Sequence, residues 1–157
     1  MAEKFSTGYV QAQATATHTA LANFVIGIYG GTQPADANAT EGAAPLLALI
    51  TLAGGAFTGG VATNGLNFNS PADGVLSKPS GDSWQGNGLA AAGTGTTATW
   101  FRVYDNSYTT GADTSTARYD GAISTASSAE LQMTNTTIVE DVPVVITAFT
   151  LTIPKSA

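Results

Sequence analysis

The segment "PVVITAFTLTIP", residues 143–154, sets the strongest limit on what this chain can become. It is rich in β-branched and aromatic residues, which suit a pleated surface and crowd a helix. Proline stands at both ends, where a missing donor does least damage to a strand. Period-two alternation puts Val145, Phe149, Leu151 and Ile153 on one face and Val144, Ile146, Thr150 and Thr152 on the other. No helical period of comparable strength occurs elsewhere, so the rest of the chain has to supply this strand with partners.

Shorter runs of the same kind recur at near-regular spacing. "FVIGIYGG" alternates Phe24, Ile26 and Ile28 on one face and stops at Gly30–Gly31. "LLALITLAGG" is apolar on both faces, and its length and Gly-Gly stop predict a buried strand. "GVATNGLNFN" carries Asn64–Gly65, a hairpin signal. "GVLSKPSGDSWQGNG" reads as a short strand, a turn and a partner strand around Trp84. "TTATWFRVYD", "ARYDGAIS" and "AELQMTN" follow, the last with Leu131 and Met133 on one face. Loops of Gly, Pro, Asn and Asp separate them, including the long "TQPADANATEGAAP" and "NSYTTGADTST". This pattern predicts an all-β chain, an antiparallel β-sandwich or barrel. Residues 1–20 are polar and rich in Ala and Thr. They read as an extended N-terminal arm or frayed strand, with a possible helical turn near "THTALAN" and with Phe5, Tyr9 and Val10 as isolated anchors. Residues 21–157 form a single domain.

Composition narrows the function. Only 10% of the 157 residues are charged, against roughly 25% in ordinary soluble domains. Such a surface is covered by Thr, Ser, Asn, Gly and Ala, which suits a protein packed against neighbours. A net charge of −6 leaves nothing to neutralise phosphates, so neither nucleic acid nor an anionic membrane surface is an expected partner. Absence of cysteine excludes disulfides and thiolate chemistry. No run of about 20 apolar residues predicts a membrane span, and "MAEKFSTGYV" lacks a signal-peptide layout, which predicts synthesis in the cytoplasm.

The residues that could carry chemistry are sparse. His18 is the only histidine and has no sequence partner for a triad or a metal set. No "GxSxG" occurs, and most acids sit in turns, as in Asp73–Gly74 and Asp120–Gly121. Neither a cofactor nor a metal is expected, and a small glycosidase ranks last. An aromatic set of Trp84, Trp100, Tyr104, Tyr108 and Tyr119 could line a carbohydrate platform. Alternation instead assigns these rings to core and subunit contacts.

Arg102 stands out in "TWFRVYD", because Trp100 and Tyr104 flank it on the same strand face. A guanidinium can lie over such rings, a contact worth about 0.5–2 kcal/mol, but its fork still needs an acceptor. A hairpin joining Thr94–Asp105 to Ala117–Ser124 places Asp120 across from it, with Asp105 as the fallback. The expected role is structural, orienting a hairpin or pairing across a subunit boundary.

"IYGGTQPADANATEGAAPLLALITL", "TGTTATWFRVYDN", "RYDGAIS" and the "TLTIP" ending, in that order from about Phe24 to Pro154, resemble small virion proteins of tailed bacteriophages, in particular capsid decoration (cement) proteins. The resemblance implies a jelly-roll β-sandwich, a homotrimer, and the major capsid protein as partner on the outside of the virion. Contact with the shell would then run through the N-terminal arm and loops at one end. Another virion part (tail, baseplate or fibre) and a carbohydrate-binding module are the alternatives.

Overall fold

The period-two runs fold as strands. The computed structural model of the chain describes residues 4–154. Among these, a helix α1 (Thr7–Ala20) precedes β1 (Val25–Gly30), β2 (Leu46–Leu52), β3 (Val75–Ser77), β4 (Trp84–Asn87), β5 (Thr96–Tyr104), β6 (Arg118–Ser124), β7 (Leu131–Met133), β8 (Thr137–Ile138) and β9 (Pro143–Thr152). The described residues are all-β apart from α1 and a 3-10 turn at Ala90–Ala92.

Pairing runs β1–β2–β4–β9–β7–β6–β5 and returns to β1, a closed ring of seven strands. An odd ring cannot alternate direction all the way round, so at least one neighbouring pair must be parallel. That pair is β6–β7, with Ile123 beside Leu131. The sequence pattern left sandwich and barrel open, and the pairing is that of a barrel. β1 bonds on one side to β2 and on the other to β5, joining what a jelly-roll sandwich would keep as two sheets.

Four local expectations are corrected. Residues 7–20 are a helix, not an extended arm. Ser6 caps it through a hydrogen bond from the Tyr9 N–H, and Thr15, Thr17 and Thr19 each turn their hydroxyl back onto the carbonyl four residues earlier. Only Val10 and Ala14 are buried within it, so its apolar stripe is one turn long and too short to read as a period. Second, β3 and β4 do not form a hairpin. Both lie along the same edge of β9, as one strand interrupted by residues 78–83. Lys78 holds that interruption by donating to the Pro79 and Asp82 carbonyls. Third, Asn64–Gly65 turns inside a loop, and Leu66 bridges to Phe24 rather than to a hairpin partner. Fourth, β9 does not keep one phase. Gln132 pairs with Ala148 and Met133 with Ile146, so Thr147 is a bulge. The extra residue brings Val144 and Ile146 onto the same inner face as Phe149 and Leu151.

The barrel interior holds the main core: Phe24, Ile26, Ile28, Leu47, Ile50, Trp84, Phe101, Val103, Leu131 and Phe149, closed at one side by Ala14 and Leu21. A second cluster of Tyr29, Trp100 and Tyr104 lies on the opposite face of β1 and β5, packed against Ala44, Leu46 and Tyr108. A barrel strand with water outside would show alternating burial. All six β1 residues are buried, because loops cover the outer face as well.

Candidate functional site

The outer face of the β1–β5–β6 sheet is built in rows by strand register. Tyr29 lies beside Trp100, which lies beside Ala122. Gly27, Arg102 and Asp120 form the next row, and Val25, Tyr104 and Arg118 the third. Gly27 is needed in this layout, since a Cβ there would fall 2.7 Å from the Tyr29 ring. Tyr29 stacks on Trp100 with ring centroids 4.4 Å apart.

Arg102 is completely buried, and all five of its N–H groups have acceptors. Nε and one terminal nitrogen grip Asp120 bidentately, both at 2.7 Å. The other terminal nitrogen donates to the Ala39 carbonyl and to Glu41 Oε1, both at 2.9 Å, and the fifth N–H reaches the Asp36 carbonyl at 3.4 Å. The guanidinium lies 5.6 Å from the Trp100 ring centre. The cross-strand partner expected from the sequence is therefore in place. Asp105 serves elsewhere, accepting from Ser107 and from the Ala117 N–H to close the loop at its base.

Arg102 thus ties residues 36–41 to the barrel. Arg118, one strand over, does the same for the 105–117 loop, donating to the carbonyls of Gly111 and Thr109. Its guanidinium sits 5.6 Å from the Tyr104 ring. Glu41 joins the two loops: Oε1 accepts from Tyr104 at 2.6 Å and Oε2 from the Gly111 N–H at 2.9 Å. Asp113 N–H donating to the Asn38 carbonyl adds a second tie. The lone Tyr104 proton goes to Glu41, so Tyr29 donates in the 2.6 Å contact between the two phenols.

The electrostatics follow from this packing. Burial pushes the Tyr104 phenol well above its usual range, and its hydrogen bond to Glu41 pushes it further. Burial raises Tyr29 to about 12. Burial would lower the Arg102 value, but the Asp120 carboxylate beside it drives the net shift upward. Raised phenol values mean that the folded protein keeps protons the unfolded chain gives up near pH 10, so this stabilisation is present below pH 10 and lost above it. In an absorbance titration, Tyr29 and Tyr104 should stay protonated to about pH 12 and ionise only as the protein unfolds. Reversible ionisation of every tyrosine by pH 11, with the fold intact, would contradict the network.

Of the residues singled out in the sequence, Arg102, Asp120, Trp100 and Tyr104 come together here. Trp84 does not: it is fully buried in the barrel core, edge-on to Phe24. Phe5 and Tyr9 lie on α1's side of the molecule, exposed and stacked on each other. His18 holds the Phe68 carbonyl through Nε2 at 3.1 Å. Trp84, Trp100 and Tyr104 are each no more than 1% exposed and offer no platform for a sugar ring. Sequence reasoning missed Glu41, Tyr29 and Arg118. Arg118 was within reach, since it shares a strand face with Asp120 at a spacing of two; Glu41 lies in a loop whose path no period announces. A groove of about 420 Å³ lined by Gly31, Pro34, Glu41, Gly42 and Pro45 adjoins the clamp and opens to solvent.

Fold and site together define a closed β-barrel that carries two long loops fixed by a buried ionic clamp. Compared with protein-family models, with curated proteins and with solved structures, the chain finds no match in any of the three.

Proposed function

We propose that this chain is a structural protein of a tailed-bacteriophage virion, a decoration protein that binds the major capsid protein on the outer surface of the head as a homotrimer. The jelly-roll relationship implied by the sequence resemblance belongs to this reading. The observation that carries it is the clamp. Loops as long as 31–45 and 105–117 without secondary structure of their own are uncommon unless they are functional or disordered. Here three N–H groups of the buried Arg102 hold the first loop, Arg118 holds the second, and Glu41 joins them. Fixing a loop before it binds removes the ordering cost from the binding step. A polar, rigid surface repeated on a lattice gains avidity from modest individual contacts. With residues 7–20 packed as a helix, this reading puts the shell contact on these loops rather than on the expected arm.

The chain has no cysteine, so single labels can be placed cleanly. Thr114→Cys and Ser127→Cys both lie on exposed positions, the first in the clamped loops and the second in the turn beyond the far end of β6. Heads stripped of the chain by mild denaturant should rebind the Ser127-labelled protein and reject the Thr114-labelled one. Equal rebinding of both would remove the loops from the contact. Copy number per particle separates the head reading from a tail, baseplate or fibre part: a head protein scales with the capsomers, a tail part with the few subunits of the tail.

A further inference from the structure

β7 is only three residues long, yet it stands between the seven residues of β6 and the ten of β9. It pairs with Ile123 and Ser124 of β6 and with Ile146, Ala148 and Phe149 of β9. The Glu130 carbonyl accepts one more bond, from the Thr150 N–H, and there the pairing stops. Residues before Glu130 leave in a turn, where the Ala129 N–H donates to the Ala126 carbonyl. Arg118–Gly121 of β6 and Thr150–Thr152 of β9 therefore run on past β7 with no strand between them. Strands two places apart in a sheet stand about 9.5 Å from each other, twice the spacing of neighbours. The opening beside β7 is thus one strand wide, and along β6 it is about 13 Å long at a strand's rise.

Its two walls carry unpaired backbone groups. Along an antiparallel strand these groups point to alternate sides. The Asp105 N–H donates to the Ala117 carbonyl, so Ala117, Tyr119 and Gly121 face β5. The N–H and C=O of Arg118 and Asp120 then point the other way, into the opening. On β9, the Lys78 N–H donates to the Phe149 carbonyl and the Ile153 N–H to the Gly74 carbonyl, so Phe149, Leu151 and Ile153 face β3. That turns the Thr150 carbonyl and both backbone groups of Thr152 toward the opening. Among the described residues none of these groups has a hydrogen-bond partner. Beneath them lies an apolar groove of about 310 Å³, lined by Ala20 and Leu21 at the end of α1, by Tyr119, and by Leu151 and Ile153. At the β7 end the Glu130 carboxylate lies against Gly121, 2.8 Å from where a Cβ would stand. Arg118 and Asp120 spend their charges on Asp113 and Arg102, which leaves Glu130 as the charge met there.

We infer that this opening takes an extended segment of another protein as an added strand between β6 and β9, with apolar side chains at alternate positions turned into the groove and a basic residue beside Glu130. Donors and acceptors on both walls select a strand as the occupant. A helix satisfies its own backbone and a lipid chain has nothing to offer the walls, whereas an extended segment bonds to one wall with every other residue and to the opposite wall with the rest. A second copy has no such segment to give among the described residues, since its own period-two runs are all strands of its own sheet. The inference stands independently of the shell-binding role.

Amide hydrogen exchange of the full chain, read by NMR, tests it with two capped peptides, Lys-Thr-Val-Thr-Val-Thr and its reverse. Together they cover both strand directions with the lysine at the Glu130 end and on the same face as the valines. In the free protein the Arg118, Asp120 and Thr152 amides should exchange fast, while those of Tyr119 and Gly121 are protected by β5. An excess of one of the peptides should slow the first three by about tenfold or more. The same peptide N-methylated on both valines should not bind. Ala20→Trp fills the groove, and Thr152→Pro puts a ring where an unused N–H stood; both positions are exposed and outside the β3 hydrogen bonds, so both variants should fold. Each should weaken peptide binding by about tenfold or more, and Glu130→Gln by about two- to fivefold. Failure of both peptides to bind up to about 1 mM overturns the inference. So does slow exchange of the three amides in the free protein, binding that leaves them unprotected, or undiminished binding by Ala20→Trp and Thr152→Pro.

Discussion

Replacing Arg102 by Ala should destabilise the protein by about 3–5 kcal/mol, because it leaves buried carboxylates without their counter-charge. For a chain of this size that corresponds to a fall in Tm on the order of 10 °C. The effect is large because one guanidinium serves Asp120, Glu41 and two loop carbonyls at once. Arg102→Lys should recover little of it, since an ammonium cannot grip Asp120 bidentately and reach residues 36–41 as well. The loops report separately from the barrel: hydrogen exchange in 36–41 and 105–117 should rise well before β9 loses protection. Wild-type melting and loop protection in Arg102→Ala would mean that the clamp does not hold the loops.

The pH dependence of that difference has a definite sign. Burial pushes the Glu41 carboxyl up, but hydrogen bonds from Tyr104, from the backbone N–H groups of Glu41 and Gly111, and from Arg102 more than offset it, leaving the group below its usual 4.5. A depressed folded value means that the unfolded chain takes up the proton first as pH falls. The stabilisation is therefore complete above pH 4.5 and lost progressively below it. Arg102→Ala removes part of what depresses Glu41, so the gap in stability between wild type and variant should be widest at neutral pH and narrow below 4.5. A gap that widens on acidification would contradict the assignment.

Phe149→Ala is expected to cost about as much, 3–5 kcal/mol, by a different route. Its ring is 1% exposed and lies within 5.1–6.4 Å, centre to centre, of Phe68, Trp84, Phe101 and Tyr119. These neighbours come from the 53–74 loop and from β4, β5 and β6, so truncation opens a cavity that no single strand can close by shifting. The neighbouring Thr150→Ala, at an exposed position, should stay within about 0.5 kcal/mol. Equal, small changes in both would mean that the inner face of β9 is not where the bulge at Thr147 places it.

That bulge marks the border of what could be read in advance. Strand after strand was visible as a period-two run, because a half-buried strand has to alternate and its ends attract Gly, Pro and Asn for reasons local to the chain. The Arg102–Asp120 pair was visible for the same reason: a hairpin fixes register, and register fixes which side chains face each other. A bulge is decided by the partner strand. Read alone, β9 keeps one phase; paired with β7, it skips Thr147 and turns Val144 and Ile146 inward.

α1 shows the opposite limit. Its Ala and Gln residues favour a helix, but Gly8, Val10 and four Thr offset them and no clear stripe shows, so the helix is held by tertiary contacts of Val10, Gln11 and His18 with residues 68–74. Glu41 belongs with it, since a loop residue meets its partners only after the barrel has formed.

The amino-acid sequence by itself determined that this chain is built of short strands and that Arg102 and Asp120 would face each other, because each of these depends on neighbours a few residues away or on a single hairpin. Tertiary structure alone decided that the strands close into a seven-membered ring, that residues 7–20 coil against it, and that two distant loops are held by Arg102 and Arg118 and joined through Glu41. Those outcomes depend on contacts between segments separated by dozens of residues, where burial and charge pairing outweigh local preference.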